Sequence, residues 1–186
     1  LKEVDIDEMM ASMTGIYSKR FTAGELQDII GFYETPDGRA IAKKRPAIAA
    51  LAMKAGQVYA QKRTTGQPVD LPVPGVGADD PLRNAVTLME VSGETAASAE
   101  TLDTMLESLM LTNPDAAKKL REVLDPVDIN LLGAKAMADI LSVEEMQSMI
   151  KFFKTPTGLK LAKNTPAIMR ESGKAGENYF RDKLSR

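Results

Sequence analysis

The chain contains no cysteine, no histidine and no tryptophan in its 186 residues. Without cysteine it has no disulfide, thiol nucleophile or zinc-thiolate site, and without histidine it lacks the commonest general base and metal ligand. Aromatic residues make up only 5% of the chain, whereas eleven residues are methionine. This composition favours closely packed helices over a sheet. We therefore expect an all-α protein that is not an enzyme and that needs no cofactor or metal.

An excess of one charge and a long apolar run are missing as well. The 24 basic and 26 acidic residues give a net charge of −2, so nucleic acid is not an expected partner. No run approaches the ~18 apolar residues of a membrane span. Because the chain begins with Leu1 instead of methionine, we expect that a signal peptide has been removed upstream, although a chain cut there for expression would begin in the same way.

A segment of the chain occurs twice. Residues 25–59 match residues 145–179, and sixteen of the paired residues are identical, whereas unrelated segments of average composition would share roughly two. The chain therefore contains an internal duplication. We predict a first repeat in residues 1–63, a linker rich in proline and glycine in 64–80, and a second repeat in 81–186 with two extra helices at its front.

Each repeat contains a capped helix that is followed at once by another helix. Thr22–Glu25 and Ser142–Glu145 have the pattern of a capping box. A Thr-Pro pair then predicts that one helix stops and the next starts within two residues, because the residue before proline avoids the α region and proline suits the first helical position. The shared structural motif comprises Phe32, Thr35, Pro36, Gly38 and Pro46, and Phe152, Thr155, Pro156, Gly158 and Pro166.

Glycine and proline inside the predicted helices call for an explanation, since both weaken a helix. We interpret Gly38 and Gly158 as places where a neighbouring helix lies too close for a Cβ, with Phe32 or Phe152 as the neighbour. Gly56 and Gly176, a second recurring pair, suggest another close helix contact. Pro46 and Pro166 predict a further helix start or a kink. The total is about ten helices, packed as two similar units that are related by an approximate two-fold axis.

The order of an aromatic pair, Thr-Pro-x-Gly, a lysine-bearing stretch and Pro-Ala-Ile appears in both repeats. In this order the chain resembles the bacterial family catalogued as domain of unknown function 2059, over roughly residues 1–60 and 122–181. Members of that family are mostly small exported helical proteins. The resemblance implies a helical fold in two tandem copies and a periplasmic or secreted location, and it supplies no catalytic residue.

Methionines are the most suggestive chemical feature. Met9, Met10 and Met13, and also Met146 and Met149, lie about one turn apart on predicted helices, and soft sulfur ligands favour Cu(I). Methionine also fills irregular gaps between helices, and we expect this packing role in a core that is poor in aromatic residues. Paired carboxylates near helix starts are explained by capping and by the helix dipole.

Four lysines recur in the two repeats without an evident role in the core. They are Lys43, Lys163, Lys54 and Lys174, and we predict that they form a shared contact surface. Salt bridges to neighbouring carboxylates would explain them equally well. The basic stretch of residues 39–45 is expected to be a solvated helix face, with an anionic surface as the alternative.

Two functional hypotheses of different classes remain. The first is a non-enzymatic exported module that binds a protein or an envelope component. The second is a carrier of a small molecule or lipid with an apolar, methionine-lined pocket between helices. A pocket of ~300 Å³ or more between the repeats would favour the carrier, and a solid core would favour the interaction module. A hydrolase would need two facing carboxylates in a cleft.

Overall fold

The computed structural model describes the backbone of residues 6–184 and the side chains of residues 11, 13–179 and 181. Within these limits the chain forms nine α-helices and no strand, which confirms the all-α prediction. The helices are α1 (Ile6–Ser18), α2 (Ala23–Glu34), α3 (Pro36–Thr64), α4 (Pro81–Val91), α5 (Glu94–Thr112), α6 (Pro114–Val123), α7 (Pro126–Ala138), α8 (Val143–Phe153) and α9 (Pro156–Leu184).

Helix starts follow the predicted capping residues. Both capping boxes form, with the hydroxyls of Thr22 and Ser142 accepting from the N–H groups of Glu25 and Glu145. Each glutamate in turn accepts from the backbone N–H of its cap residue. Residues 65–80 contain no helix, as the predicted linker requires.

The Thr-Pro pairs form hydrogen-bonded corners. The hydroxyl of Thr35 donates to the carbonyl oxygen of Phe32 over 2.7 Å and accepts from the N–H of Gly38 over 3.0 Å. The hydroxyl of Thr155 makes the equivalent bonds of 2.7 and 3.1 Å in the second repeat. One side chain therefore ties the end of the first helix to the start of the next, so the direction of the second helix is fixed by the corner.

Gly38 and Gly158 lie where a Cβ would have no room, as predicted. A Cβ on Gly38 would overlap the carbonyl oxygen of Phe32 and lie 2.7 Å from the Cα of Tyr33, and Gly158 meets the same obstacle at Phe152 and Phe153. The neighbour is the backbone at the end of the preceding helix, within the same repeat.

The close contact expected at Gly56 and Gly176 is wrong, and of the two alternatives predicted for Pro46 and Pro166 the helix start is wrong, whereas the kink stays a prediction. No atom lies within 4 Å of the position that a Cβ on Gly56 or Gly176 would occupy, so these glycines make no second close helix contact. Pro46 and Pro166 start no helix, because α3 and α9 each continue through their proline as a single helix of 29 residues. A helix this long has enough other backbone bonds and packing to absorb the one bond that proline removes.

The repeats are interlocked through their long helices. α3 of the first repeat packs mainly on α7 of the second, and α9 of the second repeat packs on α1 of the first as well as on α5. The rings of Phe32 and Phe152 stack with centroids 4.5 Å apart and planes inclined by 17°. These two residues are equivalent in the duplication, and a residue that touches its own equivalent lies on a two-fold axis.

Reciprocal ion pairs join the repeats on either side of this stack. The ammonium of Lys160 binds both oxygens of Glu25 at 2.7 and 2.8 Å, and that of Lys44 binds both oxygens of Glu145 at 2.6 and 2.7 Å. Each capping-box glutamate thus closes its own helix and also holds the long helix of the other repeat. Arg20 adds a further inter-repeat ion pair with Glu171.

Helices α4 to α6 make the two repeats unequal. α4 packs on α7 and α8, α5 packs on α9 and α7, and α6 packs on α3. Under α4 the α8 residue Ile150 is 8% exposed, whereas its counterpart Ile30 on α2 is 55% exposed. The predicted apolar stripe of α2 is therefore only partly buried, because the first repeat has no helix equivalent to α4. Residues 82–112 contact both repeats, since Glu94 of α5 pairs with Arg45 of α3.

Replacing Gly158 or Gly38 with leucine should destabilise the protein, because the new side chain overlaps a backbone carbonyl that cannot move aside. We expect a loss of about 1–3 kcal/mol, which is a melting temperature lower by roughly 2–12 °C for a chain of this size. Gly31→Leu is the matched control, since Gly31 lies in α2 with nothing near its Cβ position. Equal melting temperatures for Gly158→Leu and the native protein would contradict this account of the corner.

The inter-repeat ion pairs predict acid sensitivity. Hydrogen bonding to Lys160 and Arg20 lowers the pKa of Glu25 and Glu171, respectively. Burial acts to raise the pKa of Glu145, but the bonds from Lys44 and the backbone of Ser142 lower it overall. A carboxylate with a lowered pKa stabilises the fold above its ordinary pKa of about 4.5, and the contribution is lost as the pH falls through the lowered value.

Without histidine, the melting temperature should therefore be nearly constant between about pH 6 and 8 and should fall below about pH 4.5. The double variant Glu25→Gln, Glu145→Gln should be less stable at neutral pH and should show a shallower decline in acid. A melting temperature that falls steadily from pH 8 to pH 6 in the native protein would refute this assignment.

Candidate functional site

A cavity of about 410 Å³ lies between the two repeats. It runs along one face of α3, is bounded by residues of α4, α5, α7, α8 and α9, and is partly open to solvent. α3 and α7 are antiparallel here, because the hydroxyl of Tyr59 near the end of α3 donates to Asp128 at the start of α7 over 2.7 Å. The pocket therefore belongs to both repeats and exists only in the interlocked arrangement.

Small residues create the space. α3 presents Ala49, Ala52 and Gly56 to the cavity, and α7 presents Gly133. The open space at Gly56, where a close contact was expected, is the cavity itself. A Cβ on Gly133 would lie 3.4 Å from the methyl group of Met89 on the opposite wall, so larger side chains at these positions would enter the pocket.

The duplication supplies an internal comparison, because the counterpart of the α3–α7 interface is the α9–α1 interface. At that second interface Ser172 donates to the sulfur of Met13 over 3.4 Å. The residues equivalent to this touching pair are Ala52 and Gly133, which both line the cavity. Among the described residues, side chains therefore touch at one interface at the place where the other interface is lined by small residues.

Four methionines line the cavity, and they are Met89, Met137, Met149 and Met169. Of the methionines that sequence analysis grouped, Met149 lines the pocket, Met146 is fully buried and Met13 lies against α9. The side chains of Met9 and Met10 lie outside the described residues. The methionines that were grouped by their spacing in the sequence therefore lie at different packing sites. The methionine wall of the cavity comes from four helices, and the spacing indicated a methionine group on only one of them.

The polar groups of the cavity lie together. Arg45, Glu94 and Ser98 line the pocket, and the guanidinium of Arg45 binds Glu94 over 3.1 Å. Half of the Arg45 side chain is exposed, so it stands at the mouth. Burial is the main cause that raises the pKa of Tyr17, and the phenol of Tyr33 adds to it. The charge of the neighbouring Arg45 opposes this shift. The phenol of Tyr17 is therefore protonated at neutral pH and can donate a hydrogen bond.

Two other hollows are less enclosed. One of about 640 Å³ is bounded by Pro36, Arg39, Ala40, Lys43 and Lys44. All five belong to α3, so this is an open basic surface and not a pocket between helices. The other, of about 300 Å³, lies between α3, α7 and the linker and includes Lys54.

The four recurring lysines are spread over the surface of α3 and α9. Lys43 and Lys54 border two different hollows, and Lys163 and Lys174 are exposed on α9. Among the described residues none of the four forms an ion pair; Lys44 and Lys160 make the inter-repeat bridges instead. The shared contact surface stays a prediction. The sequence placed Lys44 on an expected solvated helix face and did not indicate either bridge, because neither lysine recurs: Lys44 corresponds to Asn164 and Lys160 to Ala40.

The described residues form no cluster of three acidic side chains that would suit a metal ion. Of the described side chains around the cavity, one is a carboxylate, that of Glu94, whereas hydrolysis by paired carboxylates needs two. None of the helices in the described part of the chain has the length and apolar character to cross a bilayer. The chemistry that this cavity offers is apolar contact together with one ion pair at its mouth.

Comparison of the chain with curated proteins and with solved structures finds no match. A family model does match, in two segments that cover residues 7–65 and 133–185. Together the segments make up more than half of the chain, and they fall on the two predicted repeats. The chain belongs to the family described as "Uncharacterized protein conserved in bacteria (DUF2059)" and carries it in two tandem copies.

Proposed function

We propose that this protein binds and carries a small apolar molecule in the cavity between its repeats. The observation that supports this most directly is the cavity of about 410 Å³, which exceeds the ~300 Å³ at which ligand pockets begin. Its walls are apolar apart from the polar group at the mouth. Methionine side chains adapt to ligands of different shape because they are unbranched and flexible.

The internal comparison supports the same proposal. An apolar space between helices forfeits dispersion contacts and lowers stability. At the equivalent place of the α9–α1 interface Met13 lies against Ser172, so the fold can be built with larger side chains there. A space that remains open at the equivalent position is explained if a bound molecule supplies the missing contacts.

The location of this carrier is part of the proposal. The resemblance to a family of mostly exported proteins supports a periplasmic or secreted address. The interaction module, which sequence analysis ranked first, stays a prediction. By the criterion of pocket volume, the cavity favours the carrier. The exposed lysines do not indicate which protein or envelope component a module would bind.

Binding is tested with N-phenylnaphthylamine, an uncharged dye whose fluorescence rises in apolar surroundings. The native protein should bind it saturably at one site. Near 100-fold excess over its dissociation constant the dye should stabilise the fold by ~2.7 kcal/mol, seen as a higher melting temperature. Gly56→Leu should abolish binding, because the leucine enters the cavity, and should leave the fold intact, because no atom lies near the Cβ position.

Gly176→Leu is the matched control for this substitution. Gly176 is equivalent to Gly56, also has open space at its Cβ position, and does not line the cavity. It should bind the dye as the native protein does. Equal dye binding by both leucine variants, or no saturable binding by the native protein, would refute the carrier proposal.

A further inference from the structure

We propose that the cavity takes a straight-chain amphiphile with one anionic head group, such as a fatty acid, and that Arg45 holds the head. This inference rests on the proposed function, because it names the class of molecule that the same pocket binds. It depends on the shape of the cavity, on the placement of charge along it, and on the free hydrogen-bond donors of one side chain.

The cavity is long. Its lining on α3 extends from Ile41 to Gly56, which is roughly 22 Å of helix at ~1.5 Å per residue. A cavity of about 410 Å³ that follows the helix over this length forms a channel that accommodates one extended alkyl chain, and its volume also admits the dye N-phenylnaphthylamine.

Charge is confined to one part of the channel. Arg45 and Glu94 are the charged residues among the described side chains of the lining. From Arg45 the channel continues for about 16 Å along α3 to Gly56, between walls formed by residues such as Ala52, Ile129 and Gly133. A ligand that fits this arrangement has a polar group at one end and an unbranched apolar tail.

The guanidinium of Arg45 has donors to spare. It contacts Glu94 through Nη2, and its Nε and Nη1 have no hydrogen-bond partner among the described residues. A planar guanidinium can hold two carboxylates on different edges and binds each of them in a geometry that lysine cannot reproduce.

The second repeat shows that the fold does not require arginine here. Thr165 is the residue equivalent to Arg45, and its hydroxyl donates to the carbonyl oxygen of Ser92 over 2.8 Å. In the second repeat this position makes a hydrogen bond to the corner before α5. In the first repeat the same position is Arg45, whose cation lies at the entrance of the channel.

Two ligands of the same chain length distinguish the contribution of the head group to binding from that of the tail. Laurate and dodecanol are titrated as competitors of N-phenylnaphthylamine, below the concentrations at which they aggregate. The native protein should bind laurate more tightly than dodecanol. Arg45→Gln should weaken laurate binding about tenfold, which corresponds to ~1.4 kcal/mol, and should leave dodecanol binding unchanged.

Two further variants sharpen the test. Arg39→Gln removes a cation from the same helix outside the cavity, where Arg39 donates to the carbonyl oxygen of Glu34, and should leave both affinities unchanged. Glu94→Gln removes the negative charge that competes for Arg45 and should tighten laurate binding. Weaker laurate binding by Glu94→Gln would overturn the assignment of the head group.

Failure of this inference is distinct from failure of the proposed function. If laurate and dodecanol bind equally and Arg45→Gln changes neither, the anionic head is refuted, while dye binding that is lost in Gly56→Leu still supports the apolar carrier. If the dye and both competitors fail to bind, the carrier and the amphiphile are refuted together.

Discussion

Each repeat packs its long helix against the other repeat, and the rest of the structure depends on this exchange of long helices. Because α3 packs on α7 and α9 packs on α1, one core is shared by both repeats. The stacked pair Phe32 and Phe152 and the bridges from Lys44 and Lys160 follow from this exchange. The cavity follows from it as well, since its longest walls are α3 and α7.

The corner at each Thr-Pro pair makes the exchange possible. A threonine hydroxyl bonds both to the end of one helix and to the start of the next, and the glycine that follows lets the two backbones approach. The long helix therefore leaves in a fixed direction toward the other repeat. Identical corners were retained in both copies for a steric reason, and reactive groups are not needed to explain them.

The two copies share their backbone arrangement and differ in what fills their interfaces. Met13 and Ser172 touch at one interface, whereas Gly133 and Ala52 leave space at the other. Three helices, α4 to α6, cover only one side of the two-fold arrangement. A symmetric frame thus contains one asymmetric cavity, which is the feature that supports a carrier and, with Arg45 at the mouth, an amphiphilic ligand.

The sequence by itself determined the helical class, the duplication, the capped starts and the two corners, because capping boxes, Thr-Pro pairs and glycine act through atoms only a few residues apart. It failed at Gly56, where glycine leaves space instead of permitting contact, and at Pro46 the alternative of a helix start was wrong, because a long packed helix continues through the proline. Only the tertiary structure decided which helices pack on the other repeat, which lysines form ion pairs between the repeats, and where a cavity remains. These features join residues that are far apart in the chain, and no local pattern specifies how their side chains meet.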